Sequence, residues 1–438
     1  MKRFNYILII VLLAYINGFG QTKKSVFNQA ESSFASKNYY DAFYKYSELL
    51  EFDPSNCEYL FKAASSARLF GAYKKAAELY EKVLQHSDNN QFPLTGFYLG
   101  QSKQLQGDYN GARLAYTTYK SERGGDDPYY TSIADKEIKA CEWALETVKN
   151  PVKGTVVKRL SDNINSLYSD FNPVISGDDL LFSSLRFENK VDTRIPKRFI
   201  GNILKSKKGA QANPIQQDNI NFAGKSIANL AYNKNRSKVY FSVCEAVNDH
   251  DQKCEIYSSI VDQNGKWDVP VKLPEVINNP SASNTQPNVG YNQEVNKEVL
   301  YFVSNREGGK GGFDLWYSMI DQSGNFSEAM NLSSLNTIQD DITPFYHNES
   351  RNLYYSTKGH LGLGGFDIYS VRETSSGWGE IKHLGTPVNS SLDDVYFIRG
   401  KSISDYYFAS NKTGSNLIDD ASEACCLDLY QATIEPCD

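Results

Sequence analysis

Tyr301-Phe302-Val303-Ser304-Asn305-Arg306-Glu307-Gly308-Gly309-Lys310-Gly311-Gly312-Phe313-Asp314-Leu315-Trp316 reads as a strand, a glycine-rich turn and a second strand. Versions of it recur through the C-terminal two thirds of the chain. The strand cores are Leu181–Ser183, Tyr240–Ser242, Tyr301–Ser304, Tyr354–Ser356 and Tyr407–Ser410. Their aromatic anchors, Phe182, Phe241, Phe302, Tyr355 and Phe408, lie 59, 61, 53 and 53 residues apart. Each core leads to a second strand, at Asn202–Leu204, Glu255–Tyr257, Asp314–Trp316, Asp367–Tyr369 and Asp428–Tyr430. An apolar residue followed by Asn precedes every unit: Ile164-Asn165, Ile220-Asn221, Ile277-Asn278, Leu335-Asn336 and Val388-Asn389. Three independent markers therefore count the same five units.

An all-β repeat of this length is the size of one four-stranded propeller blade, and five in a ring leave only short edges. Units one to four each continue into a fourth strand, seen around Trp267–Leu273, Phe326–Leu332 and Trp378–Leu384, whereas the fifth stops at Leu427–Ile434. Val156–Leu160 stands before the first Asn with the spacing of the missing strand. The start of the domain is thus expected to complete the last blade and close the ring, removing an open edge.

The glycine-rich stretch is echoed by Ser356–Asp367. Phosphate-cradling loops join a strand to a helix, but here both flanks are strands, and tight hairpins with positive-φ positions account for the glycines. Asp314, Asp367 and Asp428 are expected to accept hydrogen bonds within their blades. Asp170, Asp340, Asp341, Asp393 and Asp394 recur before the innermost strands. They are expected to make loop-tip hydrogen bonds, with a propeller-face ring that binds Ca²⁺ or a basic peptide as the alternative. Arg194, Lys197, Arg198, Lys205, Lys207 and Lys208 gather in the first blade, as a dock for an acidic partner or as a solvated loop.

Upstream, the period changes. Ala42 and Tyr46 recur 34 residues later as Ala76 and Tyr80, and 36 residues after that as Ala112 and Tyr116. Small residues at Ala30, Ala64 and Gly100 stand twelve positions before each Ala. This is tetratricopeptide (TPR) spacing, in which small residues let the two helices of a repeat approach closely. Pro54 closes the first repeat, Asp88 replaces it in the second, and Ile133–Val148 supplies a capping helix. Asn150-Pro151 marks the boundary. The expected architecture is α + β multidomain: an N-terminal α-solenoid over 22–150, then an all-β five-bladed propeller over 152–435.

The 438 residues carry a net charge of −6, which argues against a nucleic-acid partner, and five His make a histidine-rich metal enzyme a poor fit. Lys2-Arg3, an apolar run from Tyr6 to Ile16, and Gly18 and Gly20 before Gln21 read as a signal peptide over 1–20. The run is shorter than a membrane span, and no Cys lies near the cut for a lipoprotein anchor. Cleavage would remove two positive charges and take −6 to −8. In an oxidising compartment Cys244 and Cys254, at the inner ends of paired strands, are expected to bridge. Cys437 could close on Cys425 or Cys426. No G-x-S-x-G or H-E-x-x-H motif is present, and no catalytic constellation, cofactor or metal site is expected.

Ile164-Asn165-Ser166 with Tyr168-Ser169-Asp170-Phe171-Asn172-Pro173, the Ser304–Asp314 stretch, and Cys425-Cys426 before Asp428-Leu429-Tyr430 carry a resemblance. They resemble the WD40-like, TolB-type propeller of a Bacteroidetes OmpA family, the PorE-type component of the type IX secretion and gliding machinery. In that family a signal peptide, TPR repeats and the propeller precede a regulatory-like β domain and a peptidoglycan-binding domain. The chain ends at Asp438, where the regulatory-like domain would begin, so the resemblance implies no wall anchoring by these residues. It implies a non-enzymatic periplasmic scaffold, peripherally associated with the outer membrane. Its partners would be β-barrel or secretion-machinery proteins, held by the TPR groove and a propeller face. The alternative is a propeller that binds a glycan or peptidoglycan fragment.

Overall fold

The computed structural model describes residues 22–193, 197–207, 214–217, 220, 222–248, 251–400, 402, 404–419 and 424–434. The expected leader, Arg194, Lys208, Asn221, His250 and Cys437 lie outside them. The chain divides into two compact units, Met1–Thr95 and Gly96–Asp438.

The first unit holds α1 (Lys23–Ala35), α2 (Tyr39–Phe52), α3 (Cys57–Phe70) and α4 (Tyr73–Gln85). Thr22, Asn38 and Asn56 accept N–H groups of the first turns of α1, α2 and α3, satisfying donors that no helix can satisfy internally. Ala30, Ala42 and Tyr46 meet Val26, Leu49 and Ala63 in one buried cluster. Ala64, Ala76 and Tyr80 are fully buried as well. Each repeat Tyr also finds a polar partner on the preceding helix: the Tyr46 hydroxyl donates to Glu31, and Tyr80 lies 3.1 Å from Ser65 Oγ.

The second unit opens with α5 (Thr95–Leu105), α6 (Tyr109–Arg123) and α7 (Pro128–Lys149). A Cβ on Gly100 would stand 2.7 Å from Cδ1 of Tyr116, so glycine is what lets the third repeat Tyr lie flat against α5. Ala112 is fully buried beside it, and Tyr116 donates to Gln104 Oε1 at 3.0 Å. α7 starts earlier than the apolar stripe suggests. Asp127 caps the N–H groups of Tyr129 and Tyr130, and Pro128 fits the first turn, where its missing donor costs nothing.

Five four-stranded antiparallel sheets follow. Blade 1 is β2 (Asp170–Ser176), β3 (Asp179–Glu188), β4 (Phe199–Lys207) and β5 (Ile215–Gln216). Blade 2 is β6 (Ser226–Tyr232), β7 (Lys238–Ala246), β8 (Gln252–Ile260) and β9 (Val271–Lys272). Blade 3 is β10 (Asn284–Asn292), β11 (Lys297–Ser304), β12 (Asp314–Ile320) and β13 (Met330–Asn331). Blade 4 is β14 (Asp341–His347), β15 (Asn352–Thr357), β16 (Asp367–Thr374) and β17 (Gly377–His383). In blade 5, β18 (Asp394–Arg399) and β19 (Asp405–Ser410) are followed by β22 (Asp428–Ile434), and β1 (Thr155–Arg159) pairs antiparallel with β22 as the outermost strand. The ring is therefore closed by its own N-terminal strand. The sequence did not announce the small hairpin of β20 (Leu417–Asp419) and β21 (Ala424–Cys425), which interrupts blade 5.

The fourth strands of blades 1 to 3 are only two residues long, shorter than their sequence pattern suggests. Trp267 and Phe326 make single bridges, to Val261 and Ile320, and their rings turn into the inter-blade core. Short outer strands leave little edge for another chain to pair with. The anchors Phe182, Phe241, Phe302, Tyr355 and Phe408 are all within 1% of full burial, each in an apolar layer of the blades.

The Cys244–Cys254 disulfide is present and joins directly opposed residues of β7 and β8. It closes a loop of sequence separation 10. Replacing both with Ser is expected to cost about 2–3 kcal/mol through the freed chain entropy, read as a lower urea midpoint with unchanged slope. A midpoint equal to that of the native chain would refute this contribution. Cys57, Cys141 and Cys426 are buried free thiols. Cys426 donates to Leu167 O at 3.3 Å, which corrects its place as a disulfide partner of Cys437. Cys425 is placed by its backbone in β21.

Candidate interaction site

Asn165, Asn278, Asn336 and Asn389 of the apolar–Asn steps are struts between chain segments. Asn278 Oδ1 accepts from Ile256 N at 2.7 Å, while its Nδ2 donates to Ile256 O at 2.8 Å and Leu273 O at 3.0 Å. Asn336 clasps Leu315, and Asn389 clasps Ile368, through the same two atoms. Asn165 does so to Leu429 of the last blade, 264 residues away. The side-chain amide thus copies a peptide group and extends the ladder where no strand can reach.

The acidic residues are part of the same bracing, which fits their hydrogen-bonding reading and corrects the alternative of a ligand-binding ring on one propeller face. Asp170, Asp341 and Asp394 are fully buried at the first positions of β2, β14 and β18. Asp170 accepts from Ser166 N at 2.6 Å and from Arg186 Nη2 at 2.7 Å. Asp394 accepts from Ser390 N at 2.6 Å and pairs with Lys412 at 3.0 Å. Asp341 accepts from Thr337 N at 2.6 Å. Asp340 and Asp393 reach back to the preceding blade, taking Phe313 N at 2.8 Å and Phe366 N at 2.9 Å. Each of the five has an oxygen engaged by a backbone N–H, so no open face of five carboxylates forms. Blade 2 has Ile227 and Val243 where this lock would stand, and its disulfide lies one pair further along β7 and β8.

Asp341 has no cation partner in these contacts, and burial pushes its carboxyl up to about 6. Its unfolded value is near 3.8. Between the two the folded state holds a proton the unfolded chain lacks. Its contribution to stability is therefore full below about 4 and is lost as pH rises through about 6. Asp341→Asn is expected to flatten that part of the stability profile from pH 4.5 to 7.5, followed by urea denaturation. Parallel profiles for the two proteins would contradict it.

The glycine-rich turns serve close approach more than turn geometry. A Cβ on Gly311 would strike the carbonyl of Gln339, and one on Gly365 would lie 2.6 Å from the carbonyl carbon of Leu392, in each case the lead-in to the next blade. Asp314, Asp367 and Asp428 tie these turns internally, taking N–H groups of Gly311, Leu363 and Asn416.

On this face of the propeller, blades 4 and 5 receive α5–α7. Ser391 Oγ donates to Leu105 O at 3.0 Å, Thr386 Oγ1 to Thr147 O at 3.4 Å, and Lys136 Nζ to Lys358 O at 3.2 Å. The Trp143 ring meets His383 edge-on at 4.8 Å, and His383 is itself bound to Asp367 at 3.1 Å. Three of the basic residues of blade 1 are ion-paired: Lys197 with Glu188, Arg198 with Asp192 and Lys205 with Asp179.

A feature absent from the sequence reading lies at the axis. Asn172, Asn229, Gln286, Thr343 and Tyr396 have φ between 50° and 59° and are spaced 57, 57, 57 and 53 residues apart. Each sits at the register shift of its innermost strand. Left-handed backbone is costly for Thr and Tyr, and hydrogen bonds across blades hold it. Asn229 N donates to Ser183 Oγ, Gln286 N to Ser242 Oγ, and Thr343 N to Gln286 Oε1. Gln286 Nε2 reaches across to the Tyr396 hydroxyl at 3.2 Å. Above this closure, at the end of the ring opposite α5–α7, lies a cavity of about 290 Å³. The steps Asn172-Pro173, Gln286-Pro287 and Thr343-Pro344 were the available signal.

No protein-family model matches the chain, and no curated protein matches it. Among solved structures, the helical part is similar in fold to the Sgt2 TPR domain from Aspergillus fumigatus, at 21% identity over 29% of this chain and 81% of that one, TM-score 0.25. The propeller is similar to the β-xylosidase RS223, at 13% identity over 64% of this chain and 95% of that one, TM-score 0.40. It is also similar to the exo-β-1,3-galactanase 1,3Gal43A from Clostridium thermocellum, at 13% identity over 64% and 62%, TM-score 0.40. The chain is a TPR-like helical region followed by a five-bladed propeller, and these likenesses are of fold alone.

Proposed function

We propose that this chain is a non-enzymatic scaffold that holds protein partners through its helical-repeat groove and a propeller face. We place it in the periplasm, at the outer membrane, in a secretion or gliding complex of the type IX kind. The observation that carries the scaffold reading is the seating of α5–α7 on blades 4 and 5 within the second unit, with the axial end of the propeller left open. Hydrolysis of glycosides by the usual route needs a pair of carboxylates, and the described lining of the axial cavity holds one, Glu349. The Cys244–Cys254 bond supports an oxidising compartment, and the PorE-type resemblance supports the choice of machinery.

Crosslinking of native envelopes followed by capture of the tagged chain tests this. Outer-membrane β-barrel or secretion-machinery proteins are expected to be enriched over an untagged control. Retention on peptidoglycan or glycan resin with no such proteins would overturn the reading in favour of a glycan-binding propeller.

A further inference from the structure

The axial cavity differs chemically from the rest of the molecule. Its lining mixes Pro173, Pro287 and Pro344, each following one of the left-handed residues, with the polar side chains of Asn172, Gln286, Asn288 and Thr343. Its rim, made by the hairpins that leave the innermost strands, is cationic. Lys234 and Arg236 are exposed there, Arg399 and His347 lie deeper, and Glu349 is the single carboxylate in the lining. This stands on a chain of net charge −6.

Neither the Lys234 ammonium nor the Arg236 guanidinium is ion-paired among the described residues, although the Lys234 backbone N–H donates to Glu298 Oε1 at 3.1 Å. The Lys234 ammonium is held 3.5 Å over the Tyr291 ring, a contact that fixes its position without neutralising it. Arg236 donates to Ser176 Oγ at 2.7 Å and Ile175 O at 2.8 Å, both neutral acceptors, leaving three of its five N–H groups for something else. Two cations are thus held in place at the mouth of a cavity lined in part by three prolines, and surface cations with no structural task are usually free to swing.

We infer that this cavity binds the C-terminal residue of a partner polypeptide, its apolar side chain against Pro173, Pro287 and Pro344 and its carboxylate at Lys234 and Arg236. The size agrees. At about 290 Å³ the cavity is at the lower end of small-ligand pockets, which run from roughly 300 to 1,000 Å³, and takes one residue rather than a segment. Guanidinium and ammonium groups at the rim give the charge-assisted hydrogen bonds a carboxylate needs. The inference rests on the scaffold reading, for which it names one contact.

Calorimetric titration of the purified chain with N-acetyl-Gly-Gly-Phe tests it, beside the same peptide as its C-terminal amide and N-acetylphenylalanine. The free acid is expected to bind saturably, and both the amide and the Lys234→Gln/Arg236→Gln protein to show affinity at least about tenfold weaker. Both substitutions are on exposed side chains, and an unchanged melting temperature checks the fold. Equal binding of acid and amide, no saturable binding of either, or full affinity in the double variant would overturn the inference. So would N-acetylphenylalanine binding as tightly as the peptide, which would assign the cavity to a free carboxylic acid. The double variant is also taken through the envelope crosslinking. Capture of partners by a protein that binds no peptide would leave the scaffold standing and remove only this site.

Discussion

Asn278→Ala is expected to lower the stability of the folded chain by about 3–4 kcal/mol. The side chain is 2% exposed, and its loss strands Ile256 N and Leu273 O in the interior between blades 2 and 3, while Ile256 O keeps the Leu273 N–H at 3.0 Å. Each buried group left without a partner costs about 1–3 kcal/mol. Trp316 lies in the same apolar cluster as Ile256 and Leu273, so its fluorescence in urea reports the local transition. A loss below about 0.5 kcal/mol, the size of an ordinary surface substitution, would show that the Asn is not a strut.

Arg159→Ala is expected to cost about 3 kcal/mol and to loosen the closing strand. Arg159 Nε donates to Asp428 Oδ2 at 2.6 Å, joining β1 to β22, and the Asp428 carboxylate is fully buried. Burial pushes that carboxyl up against the pull of Arg159, so removing the cation leaves a costly uncompensated charge. Asp428→Asn in the Arg159→Ala background is expected to restore most of the loss, because the charge that needed a partner is gone. A double-mutant cycle with proteolysis at 150–165 reads both effects. Additive losses, with no new cleavage near β1, would refute the lock.

Much of this architecture is legible in the sequence because it is periodic. The 34-residue spacing of Ala42 and Tyr46 with Ala76 and Tyr80 follows from one helix pair repeating, and the 53–61-residue spacing of Phe182 to Phe408 follows from one blade repeating. The closure by β1 was legible as a count, since four units had a fourth strand and one did not. The Cys244–Cys254 pair was legible because antiparallel register sets them opposite one another. The candidate site was less so. Asp340 and Asp393 look like acidic loop tips, and only the approach of the preceding blade gives their oxygens to Phe313 N and Phe366 N.

The sequence by itself thus determined how many units there are, what each is made of, and which strand closes the ring. These are properties of local pattern, carried by side chains that recur at the helix and strand periods. Only the tertiary structure decided that Asp170, Asp341 and Asp394 are buried braces, that α5–α7 rest on blades 4 and 5, and that Gln286 and Tyr396 close the axis beneath a cationic mouth. Each depends on groups tens to hundreds of residues apart meeting in a low-dielectric interior. There the role of a charge is set by its neighbours rather than by its own place in the chain.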